Sequence, residues 1–196
     1  MFDMFDDMAL ELNRISFIPH EEVRKIAPMT TRRKLQKGEL FLSPGDSGRT
    51  IAFVSRGLLK NFYSTSDGRE YISSFQKEGD FAAAYFEILH CIPSRRYIQA
   101  LEDTEILVID YDNFSRINAG SIYWADLIRK VIEGKFAEKE NKERDLMLSS
   151  AEERYHKFKS EHANLAVRIP QNQIALYLGI NPSTLSRIKK KLIRAA

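Results

Sequence analysis

The chain is predicted to be α+β: an antiparallel sandwich or barrel, then one long helix, then a small helical unit at the C-terminus. Three observations predict this. From Thr30 to about Ile109, short apolar runs recur between Gly, Pro and Asp turns, as antiparallel strands do. After Ile109 the apolar period becomes helical, and residues 122–148 contain no proline. From Ile169 onward the sequence reads as helix, tight turn and a second, cationic helix.

Each element follows from its residues. Residues 8–29 read as helical and broken near Pro19, with Leu10, Leu12, Ile15, Val23 and Ile26 as buried positions. Strands are expected at Lys34–Leu35 and Leu40–Leu42 around Gly38, and at Ile51–Val54 and Leu58–Tyr63 around Gly57. Ser66-Asp67-Gly68-Arg69 is a hairpin turn in which Asp-Gly supplies positive φ, and Tyr71–Phe75 is its return strand. Two more strands are expected at Tyr97–Leu101 and Glu105–Ile109, with the Ala-rich Phe81–Leu89 as a short helix between. In 122–148, Trp124, Ile128, Val131, Ile132 and Phe136 form an apolar stripe, followed by the charged run Glu138–Arg144. Such a stripe packs either on its own sandwich or on a second copy of the helix. The habit of helix-turn-helix modules of reading two half-sites as dimers favours the second copy. Residues 151–161 make a further helix.

In the terminal unit, Pro170 suits a first helical position and Ile174, Ala175 and Leu178 give one apolar face. Gly179 supplies a left-handed ending, Asn181 a cap, and Pro182 a second helix start. At roughly 100° per residue, Leu185, Ile188 and Leu192 fall on one side of the second helix. Ser183, Arg187, Lys190 and Arg194 fall on the other, with Thr184, Ser186, Lys189 and Lys191 on the flanks. Guanidinium pairs bidentately with a guanine edge, and hydroxyls suit bases or phosphates. The DNA-facing set is therefore Gln171, at the start of the first helix, with Ser183, Thr184, Ser186, Arg187, Lys189, Lys190 and Arg194. A lone Lys-Lys-Lys run would more simply be a solvated helix end complementing its dipole. The preceding helix and glycine turn weigh against that reading.

Composition bounds the rest. With 196 residues the chain has room for one good core and a second small domain. Hydrophobic residues at 43% and charged residues at 29% are ordinary for a soluble domain. No apolar run approaches the ~20 residues that cross a bilayer, and the first residues are acidic where an export signal is basic. The single Cys91 has no internal disulfide partner, which fits a reducing cytoplasm, and cannot alone hold an iron–sulfur cluster. Residues 155–196 carry eight basic residues and one acid, a charge of +7, against a net +3 for the whole chain and hence −4 on residues 1–154. A basic end on an acidic body points to a polyanion met at one end. Its cationic face lacks the apolar positions of a membrane-bound helix, so no membrane partner is expected.

The glycine turns carry a further reading. Lys37-Gly38-Glu39, Pro44-Gly45-Asp46, Ser55-Arg56-Gly57, Asp67-Gly68-Arg69-Glu70, Gly79-Asp80-Phe81 and Ala100-Leu101-Glu102-Asp103-Thr104-Glu105 resemble, in order and spacing, a cyclic-nucleotide-binding β-roll. With the long helix and the terminal unit, the chain from about Thr30 to Leu192 resembles the Crp/Fnr superfamily of bacterial transcription regulators. The resemblance implies a β-roll or jelly-roll sensor domain over 1–120, a dimerisation helix over 121–149 and a helix-turn-helix domain over 150–196. It implies a cytoplasmic homodimer that binds near-palindromic double-stranded DNA, with RNA polymerase as a further partner and no catalysis. On this resemblance the DNA-reading positions fall on Pro182, Ser183, Thr184 and Arg187. Pro182 and Ser183 depart from the charged pair common in the family, so a different operator is expected.

The effector pocket departs further. Where cyclic-AMP-binding members have Gly-Glu, this chain has Ala83 and Ala84, and where they have Arg-Ser it has Ser94 and Arg95, followed by Arg96. Alanine cannot accept the ribose hydroxyl's hydrogen bond, and an unpaired buried group costs on the order of 1–3 kcal/mol. Cyclic AMP is therefore expected to bind weakly or not at all. Arg95 and Arg96 either serve another anion or are plain surface charge, and Tyr85 and Tyr97 are candidates to fill the vacated space. The effector is an unknown small molecule or none, and no cofactor or metal is expected. With four residues after Leu192, the β-hairpin wing that often follows is expected to be incomplete, which lowers affinity and salt dependence.

Two other classes compete. A metal-dependent sandwich enzyme needs clustered ligands on adjacent strands, yet His20, His90, His156 and His162 all fall outside the expected strands. Some family members bind haem, a property that a colourless protein would exclude. A sensor acting through an acidic protein partner would use the same basic helix without DNA.

Overall fold

The strand-rich segment folds into two four-stranded sheets, and the order of strands in each follows from where the turns send the chain. The computed structural model describes residues 4–195, with side chains through Leu192. The elements are α1 (Met4–Asn13), α2 (His20–Lys25), a 3-10 turn (Ala27–Met29), β1 (Thr30–Leu35), β2 (Leu40–Leu42), β3 (Thr50–Arg56), β4 (Leu59–Ser64), β5 (Glu70–Gln76), β6 (Phe81–Ala82), α3 (Tyr85–Leu89), β7 (Tyr97–Ala100), β8 (Thr104–Asp110), α4 (Tyr111–Gly120), α5 (Ile122–Leu148), α6 (Ala151–Glu161), α7 (Ala163–Ala166), α8 (Gln171–Tyr177) and α9 (Pro182–Ala195). They form two units, one of residues up to Tyr63 with Ser74–Gly134, the other of Ser64–Ser73 with 135 onward.

In the first unit one sheet runs β1-β8-β3-β6 and the other β2-β7-β4-β5. β8 lies antiparallel to both β1 (Thr30↔Ile109) and β3 (Ile51↔Ile109, Val54↔Ile106). Ile51, Ala52, Phe53 and Val54 are all buried, so β3 is covered on both faces. The two-residue side-chain period assigns those faces. Ala52 and Val54 join Leu35, Leu59, Ile98, Ala100 and Ile106 in the roll interior. Phe53 and Leu107 point the other way, into a cluster with Met8, Leu12, Val23, Trp124 and Leu127. At Gly57, φ is +101°, and a Cβ there would lie 2.5 Å from the Thr104 hydroxyl and 2.7 Å from its Cα, so only glycine fits.

Three expectations need correcting. Leu10 and Ile15 are exposed: the core-facing side of α1 is set by Phe5, Met8, Ala9 and Leu12, and Ile15 lies in the turn after the helix. The Phe81–Leu89 stretch starts as β6 paired to Ala52 and Phe53, and only Tyr85–Leu89 is helical. The long helix is Ile122–Leu148, and the division between the two units falls at Gly134 within it. Its first half belongs to the first unit: the Trp124 indole is buried and donates to the Glu22 carbonyl at 3.3 Å. Trp124 therefore faces its own core rather than a second copy. Ile128 and Val131 are half-buried against the same unit's clusters, whereas Ile132 is 41% and Phe136 63% exposed.

In the second unit α6 starts with a reciprocal capping box. Glu153 N–H donates to the Ser150 hydroxyl, and Ser150 N–H donates to the Glu153 carboxylate. Tyr155 and Phe158 of α6 are buried, as are Leu165, Ile169, Ile174, Ala175, Leu178, Leu185 and Ile188. These residues make the small core that carries the terminal helices.

Candidate nucleic-acid interface

The angle between α8 and α9 is set by their four-residue connection. Gly179 N–H donates to Leu176 O and Ile180 N–H to Ala175 O, the paired bonds of a left-handed helix ending. Gly179 has φ +66°, and an added Cβ would meet the Leu146 side chain at 3.0 Å. Pro170 takes the cap position of α8, one place earlier than expected, while Pro182 does open α9. Ala175 is wholly buried where the two helices meet, and Ile174, Leu178, Leu185 and Ile188 are buried with it. Leu192 is half-buried.

With that side anchored, the opposite face of α9 points outward. Ser183, Ser186, Arg187 and Lys190 are exposed, and Thr184 and Lys189 are half-exposed. Arg187 Nη2 donates to Thr184 Oγ1 at 3.3 Å, one helical turn away. Lys189 Nζ donates to Gln171 Oε1 at 3.0 Å, which brings the first helix's polar start beside the second helix. Lys191 is turned aside and ion-paired to Glu152 of α6 at 2.8 Å. Arg194 is in the helix, but its side chain lies outside the described residues. Seven of the eight expected DNA-facing side chains are thus described, and together they form a polar, cationic surface that the exposed Pro182 borders at the start of α9.

Polar contacts beneath this surface carry no sequence signature. Arg154 Nε donates to Leu178 O at 3.0 Å and its Nη1 to Ser149 O at 2.5 Å, joining the end of α8 to the end of α5. Lys142 Nζ donates to Ile72 O at 2.8 Å and Ser73 O at 2.9 Å, and lies 3.7 Å from the Tyr177 ring centre. Burial lowers the Lys142 pKa to about 8 and raises that of Tyr177. Both residues line a cleft of about 170 Å³ with Asp145, Lys157 and His162.

Of the residues at the expected effector pocket, Ala84 and Ser94 are buried and both border Gly48, whereas Tyr85 and Arg95 are exposed. Ala83 is half-buried, and Ala84 is wholly buried at the cap of α3 with no side chain to offer the helix start. Tyr85 opens α3 and is 36% exposed. Tyr97 pairs with Phe62 in register and stacks on its ring at 4.9 Å. Ile98 and Ala100 take the interior side of β7, so the strand period sends Tyr97 to the opposite face. Ser94 is buried, and its hydroxyl accepts from Arg96 N–H at 3.2 Å and donates to Arg96 O at 2.9 Å. Arg95 is exposed. Arg96 is not surface charge: it pairs with Glu87, a buried acid that composition and spacing did not single out. Among the described residues no three His, Cys, Asp or Glu side chains gather as metal ligands, and no helix is long and apolar enough to cross a membrane.

Known proteins place these features in context. Residues 32–119 match the family model described as a cyclic nucleotide-binding domain. The chain is 25% identical over 181 residues to Electron transport regulator A of Shewanella oneidensis, covering 85% of this chain and 71% of that protein. It is 24% identical over 170 residues to the Fumarate and nitrate reduction regulatory protein of Yersinia pestis, covering 80% of this chain and 66% of that one. Among solved structures, FixK2 from Bradyrhizobium japonicum superposes with a TM-score of 0.74 at 22% identity, over 85% of each chain. A CooA mutant from Carboxydothermus hydrogenoformans superposes with a TM-score of 0.75 at 19% identity, over 87% of this chain and 79% of that one.

Proposed function

We infer that this chain is a transcription regulator of the Crp/Fnr type, working as a homodimer which reads a two-fold symmetric DNA site through α9; its likeness to such regulators supports the reading. The observation that carries the reading is the division of α9 into two sides. Leu185 and Ile188 are buried, while Ser183, Ser186, Arg187 and Lys190 stand outward on a helix held at a fixed turn to α8. A helix so presented fits the major groove, where Arg187 has a guanine edge within its chemistry and the lysines and hydroxyls have phosphates.

Ile132 and Phe136, exposed on α5, supply the apolar surface for a second copy of the helix. The pocket that would take cyclic AMP lacks the carboxylate and the glycine, so regulation by that nucleotide is not part of the reading. Selection of bound sequences from a random duplex pool tests the proposal. A palindromic motif with half-sites one helical turn apart is expected. Recovery of unselected sequence, or of a single half-site, overturns it.

A further inference from the structure

Glu87 lies on α3 between Phe86 and Ile88, and its side chain is 2% exposed. A carboxylate taken so far out of water is costly unless it is ion-paired and hydrogen-bonded. The cation is Arg96, itself 16% exposed: Nε donates to Glu87 Oε1 at 3.3 Å, and Nη2 lies 3.1 Å from Oε2. The second contact is close but misaligned, so Oε2 accepts no hydrogen bond. The Arg96 Cζ sits 5.1 Å from the centre of the Tyr63 ring. The Ser94 hydroxyl, bonded to both the N–H and the carbonyl of Arg96, fixes the loop that aims the arginine.

A largely covered guanidinium beside an aromatic ring and on a fixed backbone is the chemistry by which proteins hold a carboxylate or a phosphate. We propose that Arg96 and Tyr63 form such an anion site and that Glu87 is its built-in occupant, so that the anion other sites draw from solution is here supplied by the chain itself. The misaligned second contact is what distinguishes an occupant from an ideal two-point pair. The site itself is independent of the DNA-binding reading. Only its consequence rests on that reading: a regulator whose anion site is filled from within needs no external anion to hold α3 and the loop before β7 in place.

The test is chemical replacement in the full chain. Glu87→Ala leaves Arg96 charged beside a space of carboxylate size, and acetate is the probe. Thermal midpoints are compared in sodium acetate and sodium chloride at equal ionic strength for the wild type, E87A and E87A/R96M. Acetate is expected to raise the E87A midpoint over chloride by roughly 2–4 °C more than it does for the other two proteins. An equal acetate effect in all three overturns the proposal. Should E87A not fold, the Glu87→Met protein and the double variant E87M/R96M give the second reading. The double variant is expected to melt above E87M, because it no longer buries an uncompensated arginine. A midpoint at or below that of E87M overturns the assignment.

Discussion

Lys189 of α9 donates to the Gln171 side-chain oxygen of α8 across 3.0 Å, so the two helices are tied to each other at two polar side chains. Both are partly or fully exposed, and an exposed bond of this kind is worth little. Its value is geometric: it joins the polar start of the first helix to the reading face of the second. Arg187, which donates to Thr184 on its own helix, is exposed.

That contrast sets the first prediction. Arg187→Ala should cost about 1–3 kcal/mol against the preferred site and relax specificity at one base pair. Lys190→Ala should weaken all sequences alike and reduce the salt slope by about one. Binding titrations on matched and scrambled duplexes at several salt concentrations separate the two. Equal losses on every duplex from both variants would point to a nonspecific polyanion contact.

The surface depends on what lies under it. Leu185 is fully buried, and truncation of a buried leucine to alanine costs about 2–5 kcal/mol. Leu185→Ala should lower the urea midpoint and abolish DNA binding while leaving the β-roll strands folded. A variant of unchanged stability would show that α9 is not anchored by this residue.

Dimerisation through α5 is checked at Phe136. A carboxylate placed in an apolar helix interface would stand desolvated against its symmetry mate. Phe136→Glu and Ile132→Glu should each sediment as monomers at concentrations where the wild type is dimeric. Trp124→Glu is no test of this, because Trp124 is part of the unit's own core.

Cyclic AMP should give no heat in calorimetry with the wild-type protein, since Ala84 is buried at the cap of α3 and Arg96 is engaged by Glu87. Micromolar or tighter binding would refute this reading of the pocket.

Lys142 makes stability depend on pH in a stated direction. Burial lowers its pKa from 10.5 to about 8, so between those values the unfolded chain holds a proton that the folded one has released. Stability then rises with pH across that window. Relative to Lys142→Met, the wild type should gain up to about 3 kcal/mol as pH goes from below 8 to above 10.5, measured by urea unfolding. A difference that stays flat or reverses would mean the amine is not held as the structure shows.

Much of this was legible in the residues alone. The long helix 122–148 and helix 151–161 follow from an unbroken helical period, and Gly179 from the need for a left-handed residue between two helices. The division of α9 into buried and outward sides follows from the angle between successive side chains. Other features were not legible. The stripe Trp124–Phe136 is continuous in sequence but serves two surfaces, because residues earlier in the chain cover only its first part. Tyr97, a candidate to fill the pocket, pairs in register with Phe62 of β4 and lies on the face opposite Ile98 and Ala100.

By itself, then, the sequence determined most of the local conformations, the two sides of α9, and the cationic surface at the C-terminus. These depend on turn residues and on repeats of two or 3.6, which any short window contains. Only the tertiary structure decided that Glu87 closes on Arg96, that Lys191 leaves the reading face for Glu152, and that Lys142 is buried against Ile72, Ser73 and Tyr177. Periodicity says which side of an element avoids water, but not which distant side chain meets it there. The charge of a buried group is decided by that encounter.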